Sequence, residues 1–284
     1  MKKHIKHKNY SLGIDWEDFG LINYDNGKIN NYKLYINDFV QETYYLLDLL
    51  RKLEITCTFF ANARTAEVYP QLLKLIMKDS HEIASHGYKH IARQSLSDEE
   101  FYQDCVKSKK IIERIIDKDI TGYRSPLLSI SRRGYFKSLE ILNLAGYTFD
   151  SSITAHVYKD LISNSNKISH NKIQVFPLTS LDLKIFSFNI AGGSTWRILP
   201  FKLTALILKS LLSTYNTSLY LHPYEFGKRI NPHRALSIKG NKIKYILKDL
   251  RWNTNKKNIE KILVSLAKDK NVGIYPVSYT KRFN

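Results

Sequence analysis

Short runs rich in β-branched and aromatic residues alternate with longer runs of helical period along nearly the whole chain, and that order leaves few folds open. "YSLGID" (10–15) reads as a strand, "FVQETYYLLDLLRKLE" (39–54) as a helix, "ITCTFFANA" (55–63) as a strand and "PQLLKLIMKD" (70–79) as a helix. "HEIASHG" follows as a short strand. A long helix over 97–117 opens on Ser97 as N-cap with Glu100 three residues on, the spacing of a capping box. Strand "TGYRSP" (121–126), helix 131–146 ended by Gly146, and strand "YTFDSSI" (147–153) continue the pattern, with further strands at 173–179, 218–224 and 272–278. Repeated strand-then-helix units predict an α/β chain with a parallel sheet covered by helices, and about seven of them predict a (β/α) barrel rather than an open sheet. At 284 residues such a barrel buries its core without staples. Residues 10–284 are therefore read as one domain behind a basic tail, residues 1–9.

Chemistry in a parallel barrel gathers at the C-terminal ends of the strands, which nominates residues without reference to any motif. The first strand ends in Asp15, followed by Trp16, Glu17 and Asp18; the third ends in Ser85 and His86. The next runs through Tyr123 into Arg124, Ser125 and Pro126, the fifth into Asp150, Ser151 and Ser152, and a late strand into His222 and Pro223. The stretch "HEIASHGYKH" also holds three of the chain's nine histidines. His86 and His90 stand four apart and can present two imidazoles to one side, but a divalent ion asks for a third protein ligand. Bland readings stand beside these. His81 reads as a packing or hydrogen-bonding residue; Asp150 to Ser152 either shape a pocket or turn the chain. Trp16 and Trp196 either stack on a sugar face or pack in the core. His4, His7, His156, His170 and His233 read as exposed loop residues.

The charge of +18, from 44 Lys plus Arg against 26 Asp plus Glu, would suit nucleic acid, anionic lipid or an acidic substrate. The lysines are scattered through a chain rich in Lys, Asn, Ile and Tyr, so the excess reads as compositional drift and no nucleic-acid partner is expected. Cys57 and Cys105 are too few for a disulfide framework or a cysteine-based zinc site and read as reduced core residues. "MKKHIKHKNY" is basic, but the acids of "SLGIDWEDFG" follow it where a signal peptide has its apolar region, so neither export nor a transmembrane helix is expected. The apolar segment 201–215 carries Lys209 and is too short to span a bilayer; it covers a sheet or lies on a membrane surface.

With these residues named, the chain resembles the polysaccharide deacetylases of carbohydrate esterase family four, which share the NodB homology domain. "DWED" stands at the family's first acidic motif, "SHGYKH" at its histidine motif, "YRSP" at its Arg-x-Pro motif and "LHP" at its final histidine motif, so the likeness runs from about Tyr10 to Phe226. "GYTFDSSI" and "AGGSTWRILPF" (191–201) are similar to the branch found in exopolysaccharide and surface-glycan loci.

The resemblance implies a distorted NodB-type barrel and metal-dependent removal of an N-acetyl group from an amino sugar. It implies that His86 and His90 bind one divalent ion, zinc by expectation, with a carboxylate of the first motif as third ligand. Much of the family has two adjacent aspartates there, whereas Trp16 separates Asp15 from the other acids here. Strand alternation favours Glu17, and a turn beginning at Trp16 would present Asp18 instead. Asp15 would be the general base toward the attacking water, Arg124 would hold Asp15, and His222 would be the general acid toward the leaving amine. Trp16, Tyr123, Pro126, Asp150, Ser151 and Trp196 would line the substrate pocket. The expected setting is cytoplasmic, on a surface-glycan precursor that is soluble or lipid-linked, with peripheral contact at the inner membrane. Two alternatives remain: an amidohydrolase acting on a small non-sugar amide such as a cyclic ureide, and a catalytically inactive glycan-binding module.

Overall fold

The computed structural model describes residues 8–25, 36–163, 172–182, 187–211, 218–227, 246–247, 250, 253–270 and 272–279. Its centre is β1 (Lys8–Trp16), a strand buried on both faces as a parallel strand between helical layers must be. Gly13 and Ile14 pair with β2 (Thr58–Ala61) on one edge and with β9 (Ser218–Leu221) on the other. From β2 the sheet continues in parallel through β3 (Glu82–Ser85), β4 (Gly122–Tyr123), β5 (Phe149–Asp150) and β6 (Gln174–Val175). A parallel bridge between Leu178 and Ser218 brings the chain after β6 against β9. Seven strands thus follow one another round a distorted (β/α) barrel, its far side made of two-residue strands and a single bridge. An eighth, β10 (Val272–Tyr275), pairs with the first half of β1, and β7 (Ser180–Asp182) and β8 (Ser187–Asn189) form a separate antiparallel pair.

The helices are α1 (Phe19–Asp25), α2 (Ile36–Lys52), α3 (Ala63–Val68), α4 (Pro70–Lys78), α5 (Asp98–Ile116), α6 (Tyr135–Leu144), α7 (Ala155–Ser163), α8 (Ser194–Ile198), α9 (Phe201–Leu211) and α10 (Lys256–Ala267). The capping box expected at Ser97 is formed, with both reciprocal bonds to Glu100 present. Gly146, just beyond α6, has φ +82°, the left-handed geometry that ends a helix at glycine. On α2 the residues Phe39, Leu46, Leu47 and Leu50 are buried while Tyr44 and Tyr45 face solvent, as its periodicity requires. Cys57 and Cys105 are free and buried.

Several elements depart from the expectation. The strand read to residue 63 stops at Ala61, because Asn62 accepts the Thr65 N–H and caps α3. α1 follows β1 directly, the strand read at 173–179 is the short β6, and β7 and β8 lie beyond it, where no strand was read. His156 lies on α7 near Asp182 rather than in a loop, whereas His4, His7, His170 and His233 lie outside the described residues, as do residues 1–7 of the basic tail. Among the described residues, no helix is long and apolar enough to cross a membrane.

Candidate active site

Asp15 sits near the end of β1 and Glu17 follows directly, so the pleat sends both carboxylates to one side and Trp16 to the other. Trp16 is enclosed against Phe39, its indole N–H 3.2 Å from Thr43 Oγ1. Asp18 turns away to cap α1: Oδ1 accepts the Gly20 and Leu21 N–H groups, and Oδ2 accepts the Tyr69 hydroxyl. Of the two acids left open by the sequence, Glu17 is the one beside the histidines.

His86 follows β3 and extends the parallel ladder through its N–H, 2.8 Å from Ala61 O. Its Nδ1 lies 2.9 Å from the carbonyl oxygen of Arg124. A carbonyl only accepts, so Nδ1 carries the hydrogen and Nε2 presents a lone pair to the cleft. Glu17 Oε2 lies 3.4 Å from that Nε2 and 2.6 Å from His90 Nε2. The three ligand atoms fall within 4.8 Å of one another, all buried. Short as these contacts are, Glu17 Oε2 makes no hydrogen bond of acceptable geometry among the described residues. Two imidazole nitrogens and a carboxylate converging on one point, with a buried oxygen left over, are a donor set that fits a divalent cation. Burial works against ionised Glu17, but the imidazoles of His90, His86 and His222 beside it outweigh that and hold the carboxyl well below the usual range.

Arg124, completely buried, fixes Asp15. Its Nη1 lies 2.8 Å from Asp15 Oδ1, while Nε and Nη2 donate to Ser151 O and Oγ at 3.0 and 2.9 Å. The guanidinium passes over Phe60 at 4.0 Å and directly across Gly13, where a Cβ would stand 2.5 Å from Nη1. Glycine in the middle of β1 is what lets the arginine reach the far carboxylate.

His222 comes in from β9. Its Nε2 lies 3.8 Å from Asp15 Oδ2 and 3.9 Å from Glu17 Oε1. The ring stacks on Tyr224 at 4.8 Å, and Glu225 Oε2 lies 3.4 Å from Nδ1 and accepts the His222 backbone N–H at 3.0 Å. Arg197 Nη1 approaches the other Glu225 oxygen at 3.5 Å. Burial disfavours a charged His222, but Glu225, then Glu17 and Asp15, outweigh it and push the imidazole up to about 9. All these groups line a cavity of about 230 Å³ together with Leu127, Leu128 and Tyr220.

The pocket-lining expectations need correction. Trp16 and Trp196 are fully buried, the latter donating to Ile190 O, so neither offers a face to a sugar. Tyr123 is enclosed between Phe101 and Tyr147. Pro126 packs beside Gly87. Asp150, which burial pushes up to about 6, accepts from the Ser152 N–H and shapes the turn after β5; Ser151 serves Arg124. His81 accepts the Cys57 N–H and packs on Phe59. Arg197, Tyr224 and Glu225 were not anticipated. Only Glu225 had a local signal, the three-residue spacing behind His222 that a capping box uses.

The two acids can be told apart by substitution. Glu17→Ala should lose affinity for a divalent ion, whereas Asp18→Ala should keep it and lose about 0.5–2 kcal/mol of stability from the α1 cap. Metal titration and thermal melts of the two variants check this, and a reversed pattern would exchange their roles.

Residues 20–149 match the family model described as polysaccharide deacetylase. The span contains His86, His90 and Arg124, while Asp15, Glu17 and His222 lie outside it. A peptidoglycan-N-acetylglucosamine deacetylase of Bacillus cereus is 32% identical over 81 residues, 28% of this chain and 38% of the relative. The chain spans little more than a third of the length of the first curated relatives it matches. A solved structure from Pseudomonas aeruginosa PAO1, named as a probable polysaccharide deacetylase, aligns with TM-score 0.64 at 13% identity, covering 98% of this chain and 91% of that one. Puue allantoinase aligns with TM-score 0.63 at 12% identity, covering 99% and 91%. At such identities the likeness is one of fold.

Proposed function

We propose, on the premise that residues 20–149 belong to the polysaccharide deacetylase family, that this cleft hydrolyses the C–N amide bond of an N-acetylated amino sugar. The observation that carries the reading is the pairing of Asp15 with His222, 3.8 Å apart, over the Glu17–His86–His90 cluster in one cavity. Glu17, His86 and His90 would hold one divalent ion, and their nitrogen and oxygen donors suit zinc. Such an ion supplies water activation and carbonyl polarisation at neutral pH. Asp15, oriented by Arg124, takes a proton from the attacking water. His222, charged at neutral pH because Glu225 and the two acids favour it, gives its Nε2 proton to the leaving amine nitrogen. An amine is a poor leaving group until protonated, so this division of labour suits amide hydrolysis.

For the finer setting, we place the reaction on the cytoplasmic side, on a precursor of a surface glycan before its export. Two features support this. The charge of +18 favours a carrier pyrophosphate or anionic headgroups, and Ile198, Leu203 and Leu206 are exposed on α8 and α9 for peripheral contact with the inner membrane. Cell fractionation, and assays on lipid-linked precursor against mature polymer, test that setting; recovery outside the cytoplasm with a preference for mature polymer would move the step.

The small cavity favours a second reading, a compact non-sugar amide, and an allantoinase on the same fold shows that the barrel alone does not choose between them. Metal analysis with acetate release from acetylated amino-sugar oligomers and nucleotide sugars, run beside a cyclic ureide, separates the readings. Turnover of the ureide alone would select the second, and no turnover of any substrate would leave a binding module. In the active case His222→Ala should slow amide hydrolysis more than hydrolysis of an activated ester, whose leaving group needs no proton. Equal losses would remove His222 from the acid role.

A further inference from the structure

Between the two histidines the chain takes an unfavourable path: Gly87 has φ +68° and His90 has φ +56°. Left-handed geometry at a non-glycine residue costs energy and persists where the surroundings over-determine it. The N–H and carbonyl groups of Gly87 and Tyr88, and the Lys89 N–H, each have a designated partner. The Gly87 N–H donates to Ser85 Oγ at 3.3 Å, and Gly87 O accepts the Ala63 N–H at 2.9 Å. Asn62, fully buried at the start of α3, donates through Nδ2 to Gly87 O and Tyr88 O at 3.3 and 2.8 Å, while its Oδ1 holds the Thr65 N–H. On the other side Asp104, from α5, accepts the Tyr88 N–H at 3.0 Å and the Lys89 N–H at 3.5 Å.

We infer that Asp104 and Asn62 are positioning residues that set the separation and aim of His86 and His90, by clamping the backbone between them, the acid holding its N–H groups and the amide its carbonyls. The inference rests on the reading of Glu17, His86 and His90 as a cation site. Each clamp residue does what its chemistry allows: a carboxylate can only accept, and an amide NH₂ can only donate. The fit is close, since a Cβ on Gly87 would stand 3.0 Å from Asp104 Oδ2. Both clamps belong to elements that pack together, α3 against α5, so the bend is gripped by one rigid unit. Ligands held by such outer partners lose about 10–100-fold in metal affinity when the partner is removed.

The test uses the full chain loaded with zinc or cobalt. Affinity is read by chelator competition, ligand geometry by the visible spectrum of the cobalt form, and folding by thermal melts of the metal-free chain. Asp104→Ala should bind zinc about 10–100-fold more weakly with an altered cobalt spectrum. Asp104→Asn should lose less, because its amide oxygen still accepts one N–H. Glu67→Gln, which touches the same bend only through the Tyr88 hydroxyl at 3.2 Å, should match the parent. A folded Asp104→Ala chain with parental affinity and spectrum overturns the inference. Should that variant fail to fold, Asp104→Asn and Gly87→Ala decide, and parental behaviour in both overturns it. A parent chain that binds no zinc would instead defeat the cation site itself.

Discussion

Replacing His86 and His90 together by alanine is expected to leave a chain with no stoichiometric divalent ion and no acetate release. The two imidazoles supply both nitrogen donors of the cluster, and of its three ligands only one buried carboxylate, Glu17, remains. A single carboxylate does not hold zinc against dialysis, since these sites take three protein ligands or more. The substitution also strips Glu17 of two of the three imidazoles that offset its burial, and removing the partners of a buried charge costs up to about 3–5 kcal/mol. The variant should therefore melt earlier than the parent even when both are metal-free. Metal per chain by inductively coupled plasma mass spectrometry, with acetate assays, checks the main claim. One ion per chain retained by the double variant would defeat the site.

Asp15→Asn should behave in the opposite way, keeping the ion and the substrate while the catalytic rate falls by about 10²–10⁴-fold, the loss typical of a missing general base. Asparagine presents an oxygen where Asp15 Oδ1 meets Arg124 Nη1, so the buried arginine keeps an acceptor in addition to its bonds to Ser151. The asparagine NH₂ then stands where Asp15 Oδ2 faces the cleft, and an amide NH₂ cannot take a proton. The fall should appear in kcat with KM little changed, which a merely structural fault would not produce. Loss of metal in Asp15→Asn would place Asp15 among the ligands instead.

Much of this arrangement was legible because a parallel barrel turns sequence order into position. Each strand-to-helix junction delivers its last residues to the same rim, so Asp15, His86, Arg124 and His222 could be named from strand ends before any contact was known. The capping box at Ser97 was equally local, a matter of two residues three apart. Asn62 was open to the same reasoning, as an N-cap before "ARTAEV", but the β-rich run ahead of it masked the start of α3. The aromatic residues misled for the reverse reason. A tryptophan at a strand end reads alike whether it faces a cleft or a core, and both Trp16 and Trp196 are enclosed.

The sequence by itself determined the fold class, the rim on which the strand ends gather and the acids and histidines that stand there, since periodicity and strand ends are properties of local chain. It left Glu17 and Asp18 open. Only the tertiary structure decided between them, because the choice depends on where α1 begins and on Tyr69, fifty-one positions away, donating its hydroxyl to the carboxylate of Asp18. The same holds for Arg197, which meets Glu225, and for Asp104 beneath the histidine bend. Each acts through a hydrogen bond or ion pair whose partner is brought near by packing, and no pattern of spacing along the chain encodes which buried polar groups will meet.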